Sequence, residues 1–288
     1  MQIIEQSTKT LKTRDNGRSA DAISPNFIYG CLGGCMKSYC YVGRYNHDKV
    51  YVNTNVSDIM LSIDKWINKQ PWPKVPNQCD PTKYVVDIGC STDIALMQKY
   101  INDHLENIFY YFTDLKADKA KFSFATKYPS MFHPEDFGVS LKNQRIRISL
   151  MPQVYSDILE PKTDLITTRL QQIPRLQKDM EVHINFSPII YTEGWLDEYR
   201  KLFEEMKAMG IGEVKAECIF MTYNNIQHER NSDEVNDLLW RPEIQEAKDS
   251  QYAPDNIRYK WQLKKEMVQQ FISLYSEFYN PENIRYIF

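Results

Sequence analysis

Glycine is scarce, at 10 of 288 residues, and neither GxGxxG nor GxxxxGK occurs. A glycine-rich phosphate cradle is therefore excluded as the organising motif. Long apolar runs are missing too. Each is broken by Asp, Gly, Pro or Glu before it could cross a bilayer. There is no basic excess: 35 Lys and Arg stand against 38 Asp and Glu, a net charge of −3. That excludes a protein that coats nucleic acid by overall charge, although a local basic groove remains open. The opening MQIIEQSTKTLKTRDNGRS carries no apolar core followed by a cleavage site. The expectation is a cytoplasmic chain with no membrane association.

What is present is globular: 42% hydrophobic and 25% charged residues. Six stretches rich in β-branched or aromatic residues read as buried strands: Asn26–Cys31, Tyr84–Cys90, Lys121–Lys127, Arg145–Leu150, Val182–Ile190 and Val214–Phe220. Helical patterns lie between them, at Val56–Asn68 (with Ser57 or Asp58 placed to cap it), Ile94–Phe112, Leu165–Leu176 and Trp195–Met209. This alternation predicts a parallel sheet with helical crossovers, an α/β architecture. Six units are too few for a closed eight-stranded barrel, but they suit a partial one whose strand C-termini carry the site. The Pro-rich stretch Pro71–Pro81 reads as a loop and Gln251–Asn256 as a polar break. A last helix over about Leu263–Phe278 and a terminal edge strand follow. We expect one domain over 1–288, with the C-terminal helix and strand starting near 257.

Six cysteines occur, at 31, 35, 40, 79, 90 and 218. A reducing compartment makes a disulfide framework the weaker reading. Three of them form Cys31-x3-Cys35-x4-Cys40 directly after the first expected strand. Three thiolates on one loop can hold three irons of a [4Fe–4S] cluster and leave the fourth open. On spacing alone, a zinc site closed by His47 is an equal alternative. Three unligated thiols are the weakest reading.

The chain is recognisable beyond its cysteines. GCLGGC with YCY, VYVNTNVSDI, GCSTDI (89–94), FATKY (124–128), RISL (147–150), SPIIYTEGW (187–195) and RYKW (258–261) occur in this order. Together they resemble the radical S-adenosylmethionine superfamily, and more narrowly the spore photoproduct lyase family, over nearly the whole chain. The resemblance implies a partial (β/α)6 barrel, the [4Fe–4S] cluster on Cys31, Cys35 and Cys40, and S-adenosylmethionine contacted by Lys127 and Ser149. It further implies hydrogen abstraction from a thymine-derived base in DNA by a 5′-deoxyadenosyl radical, with Cys90 returning a hydrogen atom and Tyr39 and Tyr41 relaying the radical. An external electron donor, such as a flavodoxin or ferredoxin, would supply the electron, and the chain would act as a monomer.

Bland alternatives stand beside each of these residues. Cys90 can be a small buried hydrophobe, and Tyr39 and Tyr41 can be ordinary packing among 19 tyrosines. Ser91 and Asp93 can touch substrate, but capping of the next helix is the better default. Of the basic groups, those at Lys116/Lys119/Lys121 and Arg145/Arg147 read as solvated faces. Arg258, Tyr259, Lys260 and Trp261 are the better candidates for backbone contact and base stacking. Two departures from the family stand out. Its last cysteine gap is x2 rather than x4, and its long hairpin after RYKW is replaced here by the helical pattern QLKKEMVQQF. The second departure predicts weak recognition of intact duplex. Two other functions stay open at this point: radical tailoring of a hypermodified thymine in DNA, and a non-enzymatic, zinc-stabilised nucleic-acid-binding module.

Overall fold

The computed structural model describes residues 2–33, 40, 49–248 and 256–288. These form two compact units. The first comprises 2–33, 49–148 and 172–183, and the second comprises 40, 149–171, 184–248 and 256–288.

The first unit begins with β1 (Gln2–Gln6), β2 (Arg14–Asp15), β3 (Ala22–Ile23), β4 (Ile28–Tyr29) and β5 (Lys49–Asn53). The helix α1 (Val56–Ile67) follows, then β6 (Tyr84–Asp87), α2 (Ile94–Tyr110), β7 (Ala120–Thr126) and β8 (Arg145–Leu150). A small sheet has the order β1-β5-β4, and a larger one runs β2-β3-β6-β7-β8 within this unit. The pairings β3–β6, β6–β7 and β7–β8 are parallel, with Val86 opposite Phe122 and Phe124 opposite Ile146. These strands are buried on nearly every residue, which is why they read as apolar runs rather than alternating ones.

One expected strand is corrected. Asn26–Cys31 shrinks to Ile28–Tyr29 and leaves the larger sheet, because Ile28 and Tyr29 pair antiparallel with Val52 and Tyr51. Ala22–Ile23, which is too short to show a pattern, takes the place beside β6. A second correction concerns α1. Its N-cap position is Asn55, and neither Ser57 nor Asp58 caps it; Asp58 lies in the first turn, where a carboxylate suits the helix dipole.

The second unit holds α3 (Gln153–Leu159), most of β9 (Glu181–Ile189), α5 (Trp195–Ala208), β10 (Lys215–Phe220), β11 (Thr222–Asn224), α6 (Asn225–Arg230), α7 (Asp233–Leu239), β12 (Gln245–Ala247), β13 (Asn256–Tyr259), α8 (Trp261–Ser276) and β14 (Ile284–Ile287). The helix α4 (Ile166–Leu176) passes from this unit into the first. The strand order here is β9-β10-β14, and the terminal strand does pair, parallel to β10. A separate antiparallel sheet has the order β11-β13-β12. Phe186, Tyr199, Phe203, Phe271 and Tyr275 pack edge to face between β9, α5 and α8, closing the core on that side. Among the described residues no helix is long and apolar enough to cross a membrane.

Candidate active site

In the first unit the loop bearing Cys31 is anchored at its start by Gly30. Its φ is +93°, and a Cβ there would sit 2.7 Å from the Lys49 carbonyl oxygen, so only glycine fits. The Gly30 N–H donates to the Ser91 carbonyl at 3.1 Å, and the Ser91 hydroxyl donates to Asn26 Oδ1 at 2.8 Å. Ser91 is buried and knits the loop after β6 to the segment entering Cys31. The Cys31 sulfur is buried and accepts the Gly33 N–H at 3.3 Å. A Cβ on Gly33 would lie 3.1 Å from the Tyr128 hydroxyl and 3.3 Å from that sulfur. An N–H aimed at the sulfur and a backbone pressed this close at Gly33 hold the sulfur in one place, as a metal ligand requires. Cys31 therefore fits a cluster ligand.

Asp93 caps α2 by accepting from the Leu96 N–H at 3.3 Å, as the capping default expected. It also accepts from the Thr126 hydroxyl at 2.8 Å and from the Lys127 N–H at 2.9 Å. One carboxylate thus fixes the exit of β7, and with it the backbone at Lys127. Burial pushes the Asp93 carboxyl up, against the pull of these hydrogen bonds.

Cys90 is half-buried, three residues past the end of β6. Burial and then the nearby Asp87 carboxylate push its thiol up to about 11. Arg14, which also hydrogen-bonds the sulfur, and Arg147 pull the other way without prevailing. Arg147 is held by Asp87 at 2.6 Å and by Ser123 Oγ at 3.1 Å. Sequence reasoning missed Arg14, Asp87 and Arg147 as neighbours of Cys90. The register carried a signal, since Ala125 of β7 faces Arg147 and Ser123 lies opposite Asp87.

The expectation that Lys121, Arg145 and Arg147 form solvated faces is overturned. All three are buried. Lys121 pairs with Asp80 at 2.7 Å and Glu181 at 2.6 Å, and Arg145 pairs with the same two carboxylates at 2.9 and 3.0 Å. Parallel register brings these cations side by side, and buried charge requires partners. His183 completes the group, 2.7 Å from Glu181.

In the second unit, Cys40 is half-buried and its carbonyl accepts from Gln227 Nε2 at 3.2 Å. Ser149 is buried, and its carbonyl takes a hydrogen bond from Arg169 at 2.9 Å. Arg169 is itself buried and paired with Glu160 at 2.6 Å. The group at 258–261 divides. Tyr259 is buried and its hydroxyl accepts from the Tyr191 N–H at 2.8 Å, which corrects the expectation that it stacks on a base. Trp261 is 67% exposed. Arg258 pairs with Glu246 at 3.1 Å and Lys260 reaches the Glu243 carbonyl at 2.8 Å, so both stand at the surface of the small sheet. The helix α8 starts at Trp261, directly after β13. Cys35, Tyr39, Tyr41 and His47 lie outside the described residues. Cys79 and Cys218, to which no chemistry was assigned, are buried, and Cys79 donates to the Arg18 carbonyl.

The structure thus gathers Cys31, Cys90, Ser91, Asp93 and the Lys127 backbone at the strand ends of the first unit. Known proteins share this fold. The solved spore photoproduct lyase carrying a double substitution, with bound AdoMet and dinucleoside spore photoproduct, superposes with a TM-score of 0.81, at 20% identity over 99% of this chain and 82% of that one. The lyase complexed with dinucleoside spore photoproduct gives 0.79 at 19% identity, with the same coverage. At this identity the likeness shows the fold, which is α/β and of the partial-barrel type of those structures. In sequence, the spore photoproduct lyase of Bacillus subtilis (strain 168) is 27% identical over 223 residues, 76% of this chain and 60% of the relative. The chain therefore spans about 60% of the length of that curated relative. The family model for spore photoproduct lyase matches residues 3–286, so the chain belongs to the spore photoproduct lyase family.

Proposed function

We propose that the chain is a radical S-adenosylmethionine enzyme that acts on a thymine-derived base in DNA. In this reading Cys31, Cys35 and Cys40 hold a [4Fe–4S] cluster, and Lys127 and Ser149 contact S-adenosylmethionine. An external low-potential donor delivers the electron. A cluster and cofactor held by these residues would supply one-electron reductive chemistry and hydrogen-atom abstraction.

The observation that carries the reading is the family match over residues 3–286, together with the place of Cys90 beside the loop of Cys31. A hydrogen-atom donor must hold its hydrogen, and a thiol pushed up to about 11 is protonated at any physiological pH. It stands one residue from Ser91, whose carbonyl tethers Gly30 and so the Cys31 loop. Ser91 and Asp93 fasten the loops around it. The target base must leave its stack to reach such a thiol, at a cost of about a few kcal/mol that damage lowers. Tyr39 and Tyr41 flank Cys40 in sequence and suit a relay that returns the hydrogen to Cys90.

The test is Cys90→Ala. 5′-Deoxyadenosine should still form in a substrate-dependent way while normal product falls and adducts from stray quenchers appear. An unaltered product from the folded variant would remove Cys90 from the mechanism.

A second reading is favoured by the start of α8 at Trp261, where the family resemblance implies a hairpin. It is radical tailoring of a hypermodified thymine in DNA that is already unpaired. Mass spectrometry of products from adduct-containing and modified oligonucleotides separates the two.

A further inference from the structure

The last cluster cysteine is gripped from outside its own loop. Gln227 is buried, 4% exposed, and its side-chain amide donates to the Cys40 carbonyl at 3.2 Å, a contact 187 residues apart in sequence. A buried carboxamide aimed at one backbone oxygen fixes that peptide unit only if the amide itself is held. Here it is. Gln227 belongs to α6, a helix of only six residues, which alone is too short to be stable.

Two clamps hold α6. At its start, Asn224 Oδ1 accepts the Ile226 N–H at 3.0 Å while Asn224 Nδ2 donates to Asn256 Oδ1 at 2.9 Å, both asparagines being buried. Asn224 and Asn256 are register partners of β11 and β13. On its flank, the His228 ring stacks on Trp240 with centroids 4.1 Å apart. Tyr223, buried beside them, donates to Asn236 Oδ1 at 2.8 Å.

We propose that Gln227 is a positioning residue for Cys40, with the Asn256–Asn224–α6 chain as its support, so that the sheet bearing Arg258 sets the placement of the third cluster ligand. This deepens the proposed function, because it rests on Cys40 being a ligand. The longer x4 gap after Cys35 gives the proposal its physical motive. The spacing from Cys35 departs from the family's, and a hydrogen bond from a distant helix gives Cys40 a fixed point that does not depend on that spacing.

The experiment uses the full, metal-free chain and iodoacetamide, with modification of each cysteine followed by peptide mass spectrometry. Gln227→Leu keeps the bulk and removes the donor. Cys40 should then alkylate about fivefold faster, the weight of one ordinary hydrogen bond, while Cys31 and Cys79 keep their rates. Asn256→Ala should move Cys40 in the same direction by less, since the Asn224 cap survives. After reconstitution, Gln227→Leu should lose iron to a chelator several-fold faster than the parent. An unchanged Cys40 rate in folded Gln227→Leu overturns the proposal, and so does an equal rise at Cys31, Cys79 and Cys40, which is general loosening. Iron retained by Cys40→Ala would instead defeat the ligand assignment and leave the alkylation result standing on its own.

Discussion

The Cys90 thiol is pushed up first by burial and then by Asp87, with Arg14 and Arg147 opposing, and each charged neighbour can be removed with a predictable sign. With the thiol pushed up to about 11, only about one molecule in several thousand carries thiolate at pH 7.5. Asp87→Asn removes the carboxylate that pushes up, and leaves Arg147, which pulls down, without its 2.6 Å partner. Both changes favour the thiolate. A unit charge a few ångströms away in half-buried protein is worth about 1–2 kcal/mol, hence about one unit of pKa and tenfold more thiolate. Nucleophilicity falls with basicity, so the net gain in alkylation rate at pH 8.5 is about threefold. Arg14→Ala does the reverse: it removes a hydrogen-bonding cation from the sulfur and should slow alkylation. The assay is the Cys90 peptide followed by mass spectrometry in the metal-free chain, with thermal melts to confirm folding. Opposite shifts are required. If both variants moved the rate in one direction, or neither did, local charge would not set the state of this thiol.

Iron content should vanish in Cys31→Ala, Cys35→Ala and Cys40→Ala and persist in Cys79→Ala and Cys218→Ala, as measured after anaerobic reconstitution. Gly33→Ala places a methyl 3.3 Å from the Cys31 sulfur, so iron loading should fall several-fold in a protein whose melting temperature changes little. Burial pushes both the Asp80 and Glu181 carboxyls up, but Lys121 and the Lys83 and Thr82 N–H groups outweigh it at Asp80, and His183, Arg145 and Lys121 outweigh it at Glu181, so both lie below their ordinary values. Their stabilisation is therefore full above about pH 5 and is lost as pH falls through and below the ordinary carboxylate range. Glu181→Gln should lower stability at pH 7 and flatten this acid limb in urea titrations. Trp261→Ala should weaken binding of single-stranded oligonucleotide by about 1–3 kcal/mol, whereas Arg258→Ala and Lys260→Ala should reduce the salt dependence.

Legibility in the sequence tracked burial. β8 was read at its observed limits, Arg145–Leu150, and α1, α4 and α5 to within a residue at each end, because apolar periodicity states which face is covered. Ala22–Ile23 escaped because two residues have no period, and its place in the larger sheet is set by pairing with Val86 and Asp87 rather than by its own side chains. Ile28–Tyr29 misled for the same reason: composition marks a strand but not its partner. Beside β6, the capping role of Asp93 was legible from its place before the helix. The cations were not, since Lys121 and Arg145 look the same in sequence whether they face water or Asp80.

The placement of that buried charge bears on how the first unit divides its labour. Lys121 is the second residue of β7, Arg145 the first of β8 and Glu181 the first of β9. The ion-paired cluster therefore ties the N-terminal ends of these strands. Cys90, Asp93 and Lys127 all follow C-terminal ends, of β6 and β7. Breaking a buried pair leaves an unpaired charge and costs about 3–5 kcal/mol, so strand starts linked this way cannot slide in register without losing several such pairs together. Register fixed at one end fixes the other, because each residue of a strand advances by the same rise. The loop that carries Gly89 and Cys90 after β6 can then vary without loosening the sheet beneath it. The ion-paired cluster gathers at one end of the strands and the proposed site at the other, the arrangement that α/β barrels use in general.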